Sequence, residues 1–272
     1  MNLSNEQRVL KVKCEKDFLF FCRYIYKENH KRNFLVNWHH QEIAKYMQLV
    51  FDGKIKRLIV SMPPRFGKTE LIVKMFIAWS LAKNPQSKFI HLSYSDDLAL
   101  DNSSQTKEYL ESDAFQLLWN LTLKSDSKGK KKWFNEQGGG VYATASGGAI
   151  TGFGAGQANS NAFAGCILMD DMLKPDDAGS DVKRSFINQR YNSTIRSRVN
   201  DRDTPIILVA QRLHEEDLSG FLLNGGSGEE WTHLCLPALD EENNPLWEEK
   251  HNFEELEQIR QANRYNFAGQ YM

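Results

Sequence analysis

The sequence has no excess of charge of either sign. Its 34 Lys and Arg stand against 35 Asp and Glu, a formal net charge of −1. That excludes a polycation that coats nucleic acid along its whole length, so any such contact must come from a local patch. Cysteine is scarce. Cys14, Cys22, Cys166 and Cys235 are scattered without a CxxC pair, which gives no zinc pattern and fits a reducing compartment. Long apolar runs are missing too. The longest near the N-terminus, "FLFFCRYIY", is too short to span a bilayer and contains Arg23. The opening "MNLSNEQRVLKVKCEKD" is too charged for a secretory leader. There is no internal repeat, and the one low-complexity stretch is "SDSKGKKKW" around Gly129. These absences predict an intracellular chain with no membrane association. What is present is ordinary: 41% hydrophobic and 25% charged residues over 272 positions, enough for one large or two small domains with a real core.

The apolar pattern alternates between short buried runs and longer amphipathic ones. Residues 5–26 read as an amphipathic helix, and "HQEIAKYMQLVFDGK" as a second one ended by Gly53. "KRLIVSM", "SKFIHLSYS", "CILMDDM", "TPIILVAQR" and "WTHLCLP" read as strands. Between them, "GKTELIVKMFIAWSLAKNP" reads as a long helix stopping before Pro85, and "DDLALDNSSQTKEYLES" as a helix with Asp96 or Asp97 near its N-cap. "SDVKRSFINQRYNSTIRSRV" and "EEDLSGFLL" complete the helices. Buried strands alternating with helices predict an α/β fold with a mostly parallel central sheet flanked by helices. Residues 120–165 differ, being rich in glycine and small residues. There "VYATASGGAITGFGAG" reads as a hairpin or an extended loop structure. Aromatics such as Phe18, Phe20, Phe21 and Tyr24 read as core.

The stretch "SMPPRFGKTE" carries the first chemistry. A strand precedes it and a helix follows, the setting of a phosphate-binding loop whose backbone N–H groups and helix N-terminus face an anion. Lys68 is placed to reach β- and γ-phosphates, Thr69 to bind Mg²⁺ through its hydroxyl, and Gly67 to permit close backbone approach. The pattern G-x-x-x-x-G-K-[S/T] lacks its first glycine, because position 62 is methionine. Pro63 and Pro64 carry no N–H and have fixed φ, so the cradle must be built from Arg65, Phe66, Gly67, Lys68 and Thr69, with Pro64 stiffening the entry. Arg65 has two readings: it touches a phosphate, or it swings to a neighbouring acid.

"ILMDD" carries the second. Asp170 and Asp171 end a buried strand, where the first acid of a P-loop ATPase holds Mg²⁺ through water and its neighbour polarises the attacking water. About 100 residues separate the two motifs, which leaves room for one strand between them. That makes this a P-loop NTPase with a catalytic acid on the acid strand, the ASCE type. "LVAQRLHEEDL" ends a further strand in polar groups. Gln211 reads as sensing the γ-phosphate or positioning water, and Arg212 as sensing charge. In "NWHHQEI", Gln41 reads as a contact to an adenine edge. His39, His40 and His214 have no metal-ligand spacing. Two other readings come from these residues: a helicase-like DNA-dependent ATPase, which needs a second motor domain, and a nucleotide-binding module that does not hydrolyse, against which the acid pair argues.

In this order, "IVSMPPRFGKTE", "FIHLSYSDDLA", "GGAITGFGAG", "ILMDDMLKPDDA" and "TPIILVAQRLHEEDL" resemble the ATPase portion of the large terminase subunits of tailed bacteriophages, from about residue 35 to the C-terminus. A loop of the form PPR-x-GK[S/T] without its first glycine is usual in that family. The resemblance implies a motor that hydrolyses ATP with Mg²⁺ to move double-stranded DNA into a procapsid in the host cytoplasm. It implies a homo-oligomeric ring, usually a pentamer, working on a portal protein with a small terminase subunit. Carried over by position, Lys68 and Thr69 match the phosphate and Mg²⁺ groups, Asp170 the Mg²⁺ acid, Asp171 the catalytic carboxylate, Arg65 the loop arginine, and Gln211 falls in the coupling motif. Phe153 stands where the family commonly has an arginine. The chain's last residues, "YNFAGQYM", resemble the junction before a ribonuclease-H-like domain, so no nuclease activity is expected of these residues. The expected organisation is one ATPase domain: a helical part over 1–35, a core over 36–240, and a helical or linker region over 241–272. For an arginine acting on a neighbour's site, the candidates are Arg184, Arg190, Arg196, Arg198 and Arg202, with Arg198 and Arg202 first.

Overall fold

The computed structural model describes residues 3–127 and 129–271. Met1 and Asn2 of the charged N-terminal stretch, Lys128 of the lysine-rich run and Met272 of the C-terminal region lie outside the described residues. The chain opens with helices α1 (Asn5–Lys16), α2 (Phe18–His30) and α3 (Trp38–Phe51), followed by strand β1 (Arg57–Ser61). A π-helical turn, Glu70–Met75, leads into α4 (Phe76–Lys83), then β2 (Lys88–Ser93), α5 (Asp96–Glu111) and α6 (Asp113–Trp119). Next come β3 (Lys132–Phe134), β4 (Gly140–Ala145), β5 (Ile167–Asp170), α7 (Asp181–Arg190), β6 (Ile206–Ala210), α8 (Leu218–Leu223) and β7 (Thr232–Cys235). Helices α9 (Phe253–Ala262) and α10 (Arg264–Tyr271) close the chain.

The seven strands form one sheet in the order β3-β4-β2-β5-β6-β1-β7. Every pairing is parallel except β3 against β4. The strand side chains alternate between two cores. Leu58, Val60, Leu168, Ile207 and Val209 join the α2–α5 side, while Ile59, Ile167, Met169, Ile206 and Leu208 join the α7–α8 side. Burial on both faces explains why these strands read as continuous apolar runs, and each such side chain contributes about 1.5–3 kcal/mol. The fold class follows as the sequence predicts. Strand β6 lies between β1 and β5 in the sheet, although it follows both in sequence; the roughly 100 residues between loop and acid pair hold three strands, β2, β3 and β4, where the sequence reading left room for one.

Three helices differ from their sequence reading. The first is two helices, because Asp17 leaves helical geometry and its carboxylate accepts the Phe20 N–H at 2.9 Å, capping α2. The long helix after the phosphate loop starts as the π turn. The helix predicted over 180–199 is α-helical only to Arg190, then passes through a π turn, Tyr191–Ile195, and a 3₁₀ turn, Arg196–Arg198. The cap of α5 is Ser95, with Asp96 and Asp97 in its first turn, where Asp96 accepts the Ala145 N–H at 2.7 Å. The glycine-rich stretch opens as β4, an interior strand that also makes a hairpin with β3, and continues as loop. Phe18 and Phe21 are fully buried, and Phe20 and Tyr24 partly so. Among the described residues no helix is long and apolar enough to cross a membrane.

Candidate functional site

Parallel packing puts the C-terminal ends of β1, β5 and β6 side by side, so the loops leaving them converge. The loop after β1 turns through two left-handed residues, Arg65 at φ +67° and Gly67 at φ +87°. A Cβ at Gly67 would come within 3.1 Å of His40 Nε2, so both conformation and space require glycine there. Alternating handedness of this kind forms a concave row of N–H groups suited to an anion.

Lys68, only 5% exposed, reaches across to the acid pair. Its Nζ lies 2.9 Å from Asp171 Oδ2 and 3.0 Å from Oδ1. Thr69 Oγ1 donates to Asp170 Oδ2 at 2.8 Å. The other oxygen of Asp170, Oδ1, is buried with no hydrogen-bond partner. Burial first, and then the charge of Asp171, pushes the Asp170 carboxyl well above the usual range, while Lys68 and Thr69 act in the opposite direction. Asp171 itself sits at φ +45°, with its N–H on the Val209 carbonyl and its carbonyl on the Tyr94 N–H. Gln211 N–H donates to Asp171 Oδ1 at 3.3 Å, and the Gln211 side-chain Oε1 is buried without a partner.

These groups line one pocket of about 390 Å³. Pro64, Arg65, Gly67, Lys68 and Thr69 form its loop side; Asp171 and Gln211 face them, with Glu70 beside. Asp170 lies behind, on Thr69. The residues fit a magnesium ion: a threonine hydroxyl, a carboxylate with an unpartnered oxygen, and no crowd of further ligands, as Mg²⁺ keeps water and phosphate oxygens in its shell.

Other sequence candidates lie apart from the pocket lining. Phe66 is buried and packs on His39, Trp247 and His251. Gln41 is exposed on α3. Arg212 pairs with Asp217 at 3.6 Å. Of the five candidate arginines, Arg184 is turned inward. It is 4% exposed, donates to the Ala178 carbonyl at 2.7 Å and pairs with Asp181 and Glu216. Arg190 donates to the Ser146 and Gly148 carbonyls, and Arg196 to the Ser227 carbonyl at 2.9 Å. Arg202 is exposed. Phe153 is buried against Phe134 and Tyr142.

Sequence reasoning missed the support behind the loop. Glu70 pairs with Lys74 at 2.5 Å and accepts from Tyr109 OH at 2.6 Å, and that hydroxyl also meets His30 Nε2 at 3.0 Å. The i,i+4 spacing of Glu70 and Lys74 was a usable signal. His40 behind Gly67 was visible only as part of a polar helix start. Burial and the neighbouring His39 lower its pKa to about 3, which keeps it neutral beside the loop.

The comparison with solved structures bears on the fold. A large terminase from a thermophilic bacteriophage superposes at a TM-score of 0.51 with 11% identity, covering 84% of this chain and 52% of that one. The fold is that of the large terminases. The HK97 bacteriophage large terminase also matches, at a TM-score of 0.48 and 11% identity, over 77% of this chain and 41% of that one. This chain therefore spans about half the length of the terminases it matches. No protein-family model matches the sequence, and no curated protein does.

Proposed function

We propose that the chain is an ATP-hydrolysing motor that drives double-stranded DNA into a viral procapsid. The observation that carries this reading is the paired contact between loop and acid strand: Lys68 on Asp171 and Thr69 on Asp170, with β6 between the two strands. On this reading the triphosphate enters the loop and takes Lys68 from Asp171, since one ammonium cannot serve both at full strength. Thr69 and Asp170 would hold Mg²⁺, which would neutralise charge on the phosphates. Asp171, released from Lys68, accepts a proton from the attacking water, and Gln211 orients that water or reads the γ-phosphate. Arg65, exposed at the loop, is free to meet the phosphates. Gln41 contacts the adenine edge, and Arg212 reports charge from beside Asp217.

The motor assembles as a homo-oligomeric ring on a portal protein, with a small terminase subunit, in the host cytoplasm. The ATPase organisation over 36–240, with helical parts over 1–35 and 241–272, belongs to the same reading, and nuclease chemistry is assigned to none of these residues. The test is steady-state phosphate release from ATP with Mg²⁺, with and without double-stranded DNA. Turnover that rises with DNA supports the motor. ATP binding without turnover in any condition refutes it.

A further inference from the structure

The C-terminal part of the chain touches the phosphate loop at one charged group. Lys250 Nζ donates to the carbonyl oxygen of Arg65. The same ammonium stands 4.9 Å from the centre of the Phe66 ring and 5.5 Å from that of Trp247. Trp247 packs in turn on His39 and His40, at 5.4 and 5.2 Å between ring centres. The segment is fixed from behind, where the Leu246 N–H donates to the Ala238 carbonyl at 2.8 Å and its own carbonyl accepts from Asn37 Nδ2 at 3.3 Å. Lys250 is thus held by its ammonium, which stands over two aromatic rings and donates to one loop carbonyl.

That carbonyl belongs to the same rigid peptide as the Phe66 N–H. The peptide is planar and trans, so a carbonyl fixed towards Lys250 fixes the N–H in the opposite direction. Within this loop, Arg65 enters the left-handed region without being glycine, a conformation that costs energy and gains from outside support. Pro63 and Pro64 give the loop no N–H groups, so each remaining donor carries more of the anion's binding. Lys250 and Arg65 are also like charges close enough to lower the pKa of Lys250, after burial. An anion in the loop relieves that repulsion.

We propose that Lys250 is a positioning residue of the nucleotide site, which orients the Arg65–Phe66 peptide so that the loop's N–H groups receive the phosphates of ATP. This rests on the ATPase reading above. The experiment compares the wild-type chain with Lys250→Met, which keeps an unbranched side chain of similar length but removes the charge, and Lys250→Arg, which restores a cationic donor. KM for ATP, kcat and the urea unfolding midpoint are measured for each. Lys250→Met is expected to raise KM about tenfold with kcat within about twofold of wild type, the pattern of lost uniform binding. The unfolding midpoint is expected to stay put, and Lys250→Arg to recover most of the affinity. A wild-type KM in Lys250→Met overturns the proposal while leaving the ATPase intact. So does a KM rise that Arg does not reverse, or one accompanied by a matching loss of stability. A wild-type chain that folds but neither binds nor turns over ATP overturns both readings together.

Discussion

Replacing Asp171 by asparagine removes one charge and changes little else. The backbone at Asp171 is left-handed, φ +45°, a conformation asparagine adopts as readily as aspartate. The main-chain bonds to Val209 and Tyr94 stay, and an amide oxygen can still accept the Gln211 N–H. What is lost is the ionic part of the contact with Lys68, which is 2.9 Å long, with 6% of the Lys68 and 22% of the Asp171 side chain exposed. A hydrogen bond to a charged group contributes about 1.5–3 kcal/mol and a neutral one about 1, so the fold should lose about 1 kcal/mol. ATP affinity should hold or rise, because Lys68 no longer has to leave a carboxylate to meet the phosphates. Turnover should fall by about 10² to 10⁴, the usual cost of losing a general base. Calorimetric binding of a non-hydrolysable ATP analogue, single-turnover hydrolysis and urea unfolding separate the three quantities. A drop in affinity as large as the drop in rate would make Asp171 a binding group and refute the assignment.

Lys68→Ala should abolish ATP binding, read by the same titration; wild-type turnover in that variant would move the active site elsewhere. His91 is fully buried and neutral, with its pKa lowered to about 4 by burial. Because the unfolded chain holds this proton up to about pH 6.5, the contribution of His91 to stability is complete above that pH. It falls between pH 6.5 and 4 by about 3 kcal/mol. Urea midpoints for His91→Gln should therefore depend less on pH than wild type across that window, and equal slopes would refute the point. An arginine supplied by a neighbouring chain should add roughly 10³ to 10⁵ to turnover. With Arg184 buried and Arg190 and Arg196 tied to carbonyls, Arg198 and Arg202 are the ones to test, by mixing Lys68→Ala with Arg198→Ala or Arg202→Ala. Turnover independent of concentration, with no rescue in either mixture, would remove the trans arginine.

What was legible from the residues alone was whatever depends on neighbours in sequence. The buried strands announced themselves by apolar runs, but sheet order did not: the roughly 100 residues between loop and acid pair hold β2, β3 and β4, while β6, which lies between β1 and β5, comes after the acid pair. The helix ends were less legible. Nothing in "QRYNSTIRS" marks the change from α to π at Tyr191, where Tyr191 and Ile195 pack into the second core. The support for the loop was illegible for a different reason. Lys250 lies 185 positions from Arg65, and its role depends on Trp247, His39 and Phe66 meeting in space. A lysine in "LWEEKHN" looks like any solvated charge. Which of the five candidate arginines is buried was equally illegible: helical spacing marks a face but not that Arg184 will meet Glu216, 32 residues on.

The missing first glycine of the loop has a local cause. At the usual position of that glycine the chain would turn at once. Here it does not turn. The Met62 N–H donates to the Ala210 carbonyl at 3.2 Å, so the chain continues beside β6 for one residue past the end of β1, and the Met62 side chain is 3% exposed in the core. A glycine there would leave a cavity and lose that burial. Pro63 follows and the chain turns at Pro64 and Arg65; the prolines have no N–H groups, so they offer no donor to continue the ladder. The left-handed turn is postponed to Arg65, and Gly67 completes it. Arg65 takes that conformation at a cost of about 1–2 kcal/mol, which glycine would avoid. It brings in exchange a guanidinium at the rim of the pocket. The same end of β6 that holds Met62 also holds Asp171, through the Val209 carbonyl and the Gln211 N–H. One strand end therefore sets the distance between loop and acid pair, and the loop needs no glycine at its entry to reach it.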